Sequence, residues 1–202
     1  MVNGNYVIDA HCHIYPEKIA ARAVAGTDAF YGTKARCPQG TVAELLEVGK
    51  KAGTDHFIVQ SVATTPKQVR SINEFIAANV AEAKGLLTGL GTMHPLCEDI
   101  RGEMEHLKEL GLKGVKLHPD FQQFAMNDER AFKIGEVVSA GKVPMLVHCG
   151  DFRYNYSNPE QVKPFLDEFP EIPFIGAHFA GWSMWEEATE KLAGTPNLYV
   201  DL

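Results

Sequence analysis

Seven short apolar runs recur along the chain, and amphipathic stretches separate them. Most of these runs are nearly continuous rather than alternating, which is typical of parallel strands covered by helices on both faces of a sheet. The runs are YVIDAH, HFIVQSV, LLTGLGTMHP, GVKLHP, VPMLVHCG, PFIGAHFAG and NLYVDL. The pattern therefore predicts seven strands of an α/β fold.

Helix signals fill most of the stretches between the runs. Thr41 precedes an apolar stripe that ends at Gly53. Glu44 lies three residues after Thr41, which is the spacing of a capping box. Strand and helix then alternate every roughly 25 to 30 residues, which is the length of a βαβ unit. Residues 25–40 have no clear pattern, so an insertion is expected after the first strand. We find no linker or low-complexity tract, and we predict one domain over residues 1–202.

Composition and charge narrow the class of protein. The formal net charge of −7 argues against a nucleic-acid partner, because no basic excess is available to neutralise phosphates. No apolar run approaches the roughly 18 residues of a membrane span, and the first residues do not resemble a signal peptide. The four cysteines have no C-x-x-C spacing, which suits reduced thiols. We expect a soluble cytoplasmic protein with no membrane partner.

The first strand ends in a His-x-His pair. Side chains alternate between the two faces of a strand, so His11 and His13 are predicted to face one side and Cys12 the other. Two neutral imidazoles on one face offer two nitrogens to a single cation. The pair therefore predicts half of a metal site, and the rest of the chain must supply the other half.

Six of the eight histidines fall at the carboxyl ends of predicted strands. Pro95 and Pro119 mark two of these ends independently, because proline cannot donate to a sheet ladder. In a closed (β/α) barrel, the active site is built at this end of the strands. The clustering predicts a metal centre among His11, His13, His94, His118, His148 and His178.

The segments IDAHCHIYP, GVKLHP, MLVHCG and IGAHFAG, in this order and spacing, resemble the amidohydrolase superfamily of metal-dependent barrel hydrolases. They are most similar to the branch that contains aminocarboxymuconate-semialdehyde decarboxylase and related aromatic-acid decarboxylases. The resemblance covers essentially the whole chain. It implies an α/β fold of the (β/α)8 TIM-barrel type, with about seven of the eight strands in this chain.

The resemblance also implies roles for individual histidines. It assigns His11, His13 and His148 to a divalent metal, usually zinc, with manganese, iron or cobalt as alternatives. It makes His178 a catalytic acid or base, or a ligand of a second metal in binuclear relatives. The chemistry agrees, since three protein ligands leave a position on zinc for a water whose pKa the metal lowers to about 7.

Lys116 has two interpretations. Some binuclear relatives carry a carboxylated lysine that bridges two metals at the end of the fourth strand. We prefer a lysine that pairs with a carboxylate or binds an acidic substrate, because the branch that this chain resembles is mononuclear. We therefore predict Lys116 as a catalytic residue beside His178.

Three further residues are predicted to bind a small-molecule substrate: Arg153, His118 and His94. The guanidinium of Arg153 could bind a substrate carboxylate with two hydrogen bonds, although a loop arginine is an equal alternative. We expect Trp182 and Trp185 to pack a helix against the sheet.

The leading functional hypothesis is a metal-dependent hydrolase of a small organic acid, amide or lactone. The alternatives are a non-oxidative decarboxylase, a phosphoesterase or deoxyribonuclease-like enzyme, and an inactive metal-binding remnant. The phosphoesterase hypothesis ranks lower, because its relatives carry a bridging glutamate where this chain has Lys116.

The run NLYVDL is predicted to be the seventh strand. Family members continue to an eighth strand with an aspartate in a Gly-(Ser/Thr)-Asp sequence, and Asp201 is no clear substitute for it. We expect either a truncated version of a longer enzyme or a shortened, weakly active form. Unpaired sheet edges favour self-association, so a homo-oligomer is expected.

Overall fold

The computed structural model of the protein describes residues 2–201, in which parallel strands alternate with helices. The strands are β1 (Ile8–His13), β2 (His56–Gln60), β3 (Leu87–Gly89), β4 (Gly91–Thr92), β5 (Val115–Leu117), β6 (Met145–His148), β7 (Phe174–Ala177) and β8 (Leu198–Val200). The helices are α1 (Glu17–Tyr31), α2 (Val42–Ala52), α3 (Val69–Glu82), α4 (Ile100–Glu109), α5 (Pro119–Gln122), α6 (Glu129–Gly141), α7 (Pro159–Glu168) and α8 (Trp185–Leu192).

The described residues form two compact units. The first unit contains the chain up to Ser61 together with Phe75–Gly89, and the second contains Val62–Glu74 and the chain from Leu90 onward. The first unit holds a parallel sheet in the order β1-β2-β3, and the second holds a parallel sheet in the order β4-β5-β6-β7-β8. Within each sheet, strands that follow one another along the chain are neighbours, as in a (β/α) barrel.

All seven predicted strands exist in the structure. The third predicted strand is interrupted at Leu90 and forms β3 and β4, so the predicted strands four to seven are β5 to β8. Gly91 is required at this break, because a Cβ there would lie 2.4 Å from Leu107 Cδ1. The side chain of Asn73 brackets the next residue, accepting from the backbone N–H of Thr92 at 2.7 Å and donating to its carbonyl at 3.1 Å.

The expected insertion at residues 25–40 is wrong for its first part. Helix α1 continues to Tyr31 and ends at Gly32 in the left-handed conformation, where the Gly32 N–H donates to the carbonyl of Asp28. The helix was missed because Gly26 and Thr27 are weak helix formers and because only Ala20 and Val24 are buried. Such a thin buried stripe gives almost no helical periodicity in the sequence.

Side-chain capping contacts fix the starts of α2 and α6, and the predicted start at Thr41 is confirmed. The Thr41 side chain accepts from the backbone N–H of Glu44, and the Asp128 carboxylate accepts from the N–H groups of Arg130 and Ala131. These bonds satisfy backbone donors that have no partner inside a helix. None of the helices described is both long enough and apolar enough to span a membrane.

Candidate metal and catalytic site

The histidines lie where the strand pattern predicted them. His13 and His148 are the last residues of β1 and β6, and His118 and His178 directly follow β5 and β7. His94 follows β4 by two residues. Because the strands of each sheet are parallel, the histidines of one sheet lie at the same edge of that sheet.

In the first unit, His11 and His13 present their imidazoles to each other. Their Nε2 atoms are 3.3 Å apart and their ring centroids 5.3 Å apart, while Cys12 between them is buried. Two nitrogens that share one tetrahedral zinc ion, each at about 2.0–2.1 Å, lie roughly 3.3–3.4 Å apart. The pair therefore fits the separation that a shared cation requires.

Gln60 is a buried residue beside this pair that the sequence analysis missed. It is fully buried at the end of β2, where it is the register partner of His13 on β1. Neither its Oε1 nor its Nε2 has a hydrogen-bond partner within residues 2–201. Buried amides are nearly always paired, so this one is a candidate for contact with a bound molecule.

In the second unit, the residue after β5 caps a short helix that was not predicted. His118 Nδ1 accepts from the N–H of Phe121, and the Gln122 side chain accepts from the N–H of His118 at 3.0 Å. Gln122 also donates to the carbonyls of Ala63 and Met93, at 2.9 and 2.8 Å. Helix α5 is thereby fixed, and it carries Asp120 in its first turn.

His118, Asp120 and His148 form a buried cluster. The rings of His118 and His148 stack at 4.0 Å with an interplanar angle of 5°. Asp120 Oδ2 is 3.8 Å from His148 Nε2 and accepts from the Ser157 hydroxyl at 2.6 Å. Burial is the main cause that raises the pKa of Asp120 to about 6. Neither Asp120 nor Ser157 was predicted from the sequence.

The three side chains of this cluster lie close enough for one cation, because one donor atom from each lies within 4.8 Å of the others. The ring orientation opposes such a site. A cation binds in the plane of an imidazole, and the parallel planes of His118 and His148 do not converge on a common point. The cluster fits hydrogen bonding to a carboxylate better than direct coordination.

Lys116 on β5 is buried, with a relative exposure of 1%. Burial is the largest influence and lowers the pKa of its ammonium group to about 8, while the charges of Asp201 and Cys149 raise it. The charge of Asp201 thus acts on Lys116, and both the pairing and the catalytic role of this lysine stay predictions. Cys149 is buried too.

A left-handed turn follows β7. His178, Phe179 and Ala180 have φ values of 58°, 58° and 57°, a region that costs non-glycine residues roughly 1–2 kcal/mol each. Asp201, directly after β8, holds this turn: its Oδ1 accepts from the His178 N–H at 2.6 Å and its carbonyl accepts from the Phe179 N–H at 2.9 Å. Such strain is characteristic of functional sites.

The electrostatic surroundings of His178 favour its neutral form. Burial lowers the pKa of His178 most, the charge of Lys116 lowers it further, and the charge of Asp201 raises it. The ring meets the edge of His148 at 5.1 Å and that of Trp182 at 5.4 Å. A neutral imidazole at this position can accept a proton.

Both tryptophans contact the residue that follows β7. Trp182 contacts the ring of His178, and Trp185 is 55% exposed, with its indole N–H donating to the carbonyl of His178 at 3.1 Å. Both therefore contact the turn after β7, and Trp185 joins the start of α8 to that turn. Sequence spacing gave no indication of this, because the turn itself was not predicted.

The predicted substrate-binding residues already make contacts within the protein. Arg153 binds the buried carboxylate of Asp151 through Nε at 2.9 Å and Nη2 at 2.6 Å. His94 is buried and its Nδ1 accepts from the N–H of Leu96 at 3.2 Å. Burial lowers the pKa of His94. Their roles toward a substrate stay predictions.

The parallel α/β fold and the histidines at its strand ends define the class of metal-dependent barrel proteins. The family model described as amidohydrolase matches residues 8–202, so the chain belongs to the amidohydrolase family. No curated protein matches the chain.

Solved structures share the fold at low sequence identity. A TIM-barrel protein of Bordetella bronchiseptica is 16% identical, with a TM-score of 0.75 over 97% of this chain and 74% of its own. The 5-carboxyvanillate decarboxylase of Novosphingobium aromaticivorans, in complex with manganese and 4-hydroxy-3-methoxy-5-nitrobenzoic acid, is 13% identical. Its TM-score is 0.67, and the match covers 92% of this chain and 67% of the decarboxylase. A probable 2-pyrone-4,6-dicarboxylic acid hydrolase of Acinetobacter baumannii is 16% identical. Its TM-score is 0.63, and the match covers 97% of this chain and 69% of the hydrolase. The (β/α)8 barrel type predicted from the sequence is therefore confirmed.

Proposed function

We propose that this protein is a metal-dependent hydrolase that acts on a small organic substrate, with one divalent metal held by His11, His13 and His148. The observation that carries the proposal is the 3.3 Å separation of the His11 and His13 Nε2 atoms, in a chain that belongs to the amidohydrolase family. Three neutral imidazoles suit zinc best among the common cations. Manganese is the alternative, since it is bound in the related decarboxylase named above.

The roles of the remaining site residues are part of the same proposal. A bound divalent metal supplies a water of lowered pKa and polarises a carbonyl oxygen. His178, whose backbone N–H donates to Asp201, accepts a proton from the attacking water and returns it to the leaving group of the substrate. The ammonium group of Lys116 stabilises negative charge that develops on the substrate. His94, His118 and Arg153 contact the substrate, and Arg153 exchanges Asp151 for a substrate carboxylate.

Non-oxidative decarboxylation of a small aromatic or unsaturated acid is the second candidate. It is favoured by the structural likeness to a 5-carboxyvanillate decarboxylase and by the positive charge of Lys116, which suits an acidic substrate. The same fold and metal serve both reactions, so the fold does not select between them.

Metal analysis tests the ligand assignment. The purified protein is expected to carry about one zinc or manganese ion per chain, and His11→Ala and His148→Ala are expected to lose it. His106→Ala is the matched control, because His106 lies on α4 at a distance from the strand ends. Full metal content in both ligand variants would contradict the assignment.

Isotope labelling separates the two reactions. A panel of lactones, esters, amides and aromatic acids is incubated with the zinc- or manganese-loaded protein. Hydrolysis adds one solvent water across the broken bond, so H₂¹⁸O places ¹⁸O in the product acid. Decarboxylation releases CO₂ and replaces the carboxyl group by hydrogen, so D₂O places deuterium on carbon. Deuterium on carbon without ¹⁸O in the acid would reject the hydrolase in favour of the decarboxylase.

A further inference from the structure

Asp120 lies behind the ring of His148 in the second unit. Its Oδ2 is 3.8 Å from His148 Nε2, and the side chains of the histidine and the aspartate are 1% and 0% exposed. The other carboxylate oxygen, Oδ1, is buried and has no hydrogen-bond partner within residues 2–201. The oxygen nearest to His148 Nε2 is therefore Oδ2, which accepts from the Ser157 hydroxyl and, as a carboxylate oxygen, can accept a second hydrogen bond.

A histidine that binds a cation has a defined proton arrangement. The neutral imidazole binds through one nitrogen and keeps its proton on the other, and that N–H needs an acceptor when it is buried. Solvent does not provide one at a side chain that is 1% exposed. Because Nε2 of His148 faces Asp120, we assign Nδ1 to the cation and the proton to Nε2.

We propose that Asp120 is a positioning residue that accepts the Nε2–H of His148 and so fixes the orientation and tautomer of that ring for metal binding. The proposal rests on the proposed function, because it takes His148 as a metal ligand. A carboxylate behind a ligating imidazole also increases its basicity. A shift of less than about 1 Å brings Asp120 Oδ2 and His148 Nε2 from their present separation to hydrogen-bond distance.

The surroundings of Asp120 favour a fixed carboxylate. The Ser157 hydroxyl donates to Oδ2 at 2.6 Å, and Asp120 lies in the first turn of α5, which begins at Pro119. His118 stacks on the face of His148 at 4.0 Å and prevents the ring from tilting. Thus the edge and one face of the His148 ring are restrained by neighbours within the same unit.

Direct coordination of a cation by the cluster is the competing interpretation. Besides the parallel ring planes, the proton arrangement of His118 opposes it. Because Nδ1 of His118 accepts from the N–H of Phe121, the proton of the neutral ring is on Nε2, which then cannot bind a metal. The two interpretations differ in metal stoichiometry, which the experiment measures.

The first test compares two aspartate-to-asparagine variants. Asp120→Asn is expected to weaken zinc binding about 10- to 100-fold in competition with a chelator, without a change in stoichiometry. Asp128→Asn is the control for the loss of one carboxylate, because Asp128 caps the start of α6 and pairs with Arg130. It is expected to leave the zinc dissociation constant unchanged.

Each outcome has one meaning. Equal zinc dissociation constants for the two variants and the unchanged chain would overturn the positioning role of Asp120. A loss of one zinc ion per chain in Asp120→Asn, with another retained, would overturn it in favour of direct coordination. If His148→Asn binds zinc as tightly as the unchanged chain, the proposed function loses its ligand, and the inference falls for that separate reason.

The second test needs no folded Asp120 variant. In the zinc-loaded, ¹⁵N-histidine-labelled protein, the NMR signals of His148 are identified by their absence in His148→Asn. We expect a metal-bound Nδ1 and a slowly exchanging proton on Nε2. Coordination through Nε2 would turn the proton away from Asp120 and would overturn the proposal.

Discussion

Gln60 combines complete burial with an unpartnered amide. A buried amide without hydrogen bonds costs about 1–3 kcal/mol. Gln60→Met, which keeps the length of the side chain and removes the amide, is therefore expected to raise the free energy of unfolding by about 1 kcal/mol or more. Chemical denaturation of the metal-free protein measures this change. Activity is expected to fall, as is usual when an unsatisfied group serves a site.

Gln122→Met is the matched control for Gln60→Met. Gln122 is also buried, but its amide accepts from His118 N–H and donates to two carbonyls. The same substitution is expected to destabilise the protein by about 2–4 kcal/mol. Equal destabilisation by both variants would show that the Gln60 amide is satisfied in the folded protein.

The buried ammonium of Lys116 makes stability depend on pH. Burial lowers its pKa in the folded protein to about 8 from the ordinary 10.5. Between these values the unfolded chain binds more protons, so stability rises with pH, by roughly 3 kcal/mol at most. The groups that act on Lys116 are Asp201, Cys149 and His178.

Lys116→Met removes this contribution, while groups distant from Lys116 titrate equally in both proteins. We expect the free energy of unfolding of the unchanged chain, relative to that of the variant, to rise from pH 7 to pH 10. Urea denaturation of metal-free protein at each pH measures it. Parallel pH curves would contradict the lowered pKa.

The sequence predicted some site residues and not others, for a physical reason. Strand alternation places His11 and His13 on one face, and prolines mark the strand ends after His94 and His118. Asp120 and Gln60 carry no such signal, because their significance comes from atoms distant in sequence. Asp120 has its hydroxyl donor 37 residues away, at Ser157.

At the scale of elements, the end of α6 is closed by a lysine in a conformation that favours glycine. Lys142 has φ of 55° and its N–H donates to the carbonyl of Ser139. Lys142→Gly is expected to raise the free energy of unfolding by about 0.5–1 kcal/mol, because glycine adopts this conformation without strain. Thermal or chemical denaturation measures the change.

Lys133→Gly provides the opposite expectation on the same helix. Lys133 is exposed in the interior of α6, where glycine costs about 1 kcal/mol relative to ordinary residues. The two variants make the same chemical change and differ only in backbone conformation. If Lys142→Gly destabilised the protein as much as Lys133→Gly does, the left-handed conformation at the end of α6 would be contradicted.

The elements themselves were largely predictable. The strands are short and mostly apolar, and β1, β3, β5, β6 and β7 end at or directly before a glycine or a histidine, so most of their positions follow from local sequence. Helices α1 and α5 were not predicted. The four-residue α5 has too few turns for a periodic pattern, and it is held by contacts of His118 and Gln122 that no local pattern reveals.

At the scale of the whole molecule, self-association stays a prediction. Among the described strands, β8 pairs only with β7, and its residues Tyr199 and Val200 are exposed. An unpaired strand edge with apolar side chains favours association with another chain. Light scattering after size-exclusion chromatography is expected to give a mass above 22.3 kDa per particle. Tyr199→Lys is expected to lower that mass, and a monomer at all concentrations would contradict the prediction.

The sequence by itself determined the α/β class, the seven strands and the placement of the histidines, because alternation and strand ends are local properties of the chain. Only the tertiary structure decided what surrounds those histidines. Three features depend on which strands become neighbours. They are the proximity of Asp120 to His148, the hydrogen bond from the His178 N–H to Asp201, and the buried amide of Gln60. Those neighbours are set by the pairing of parallel strands within each sheet, which brings together residues that are distant along the chain.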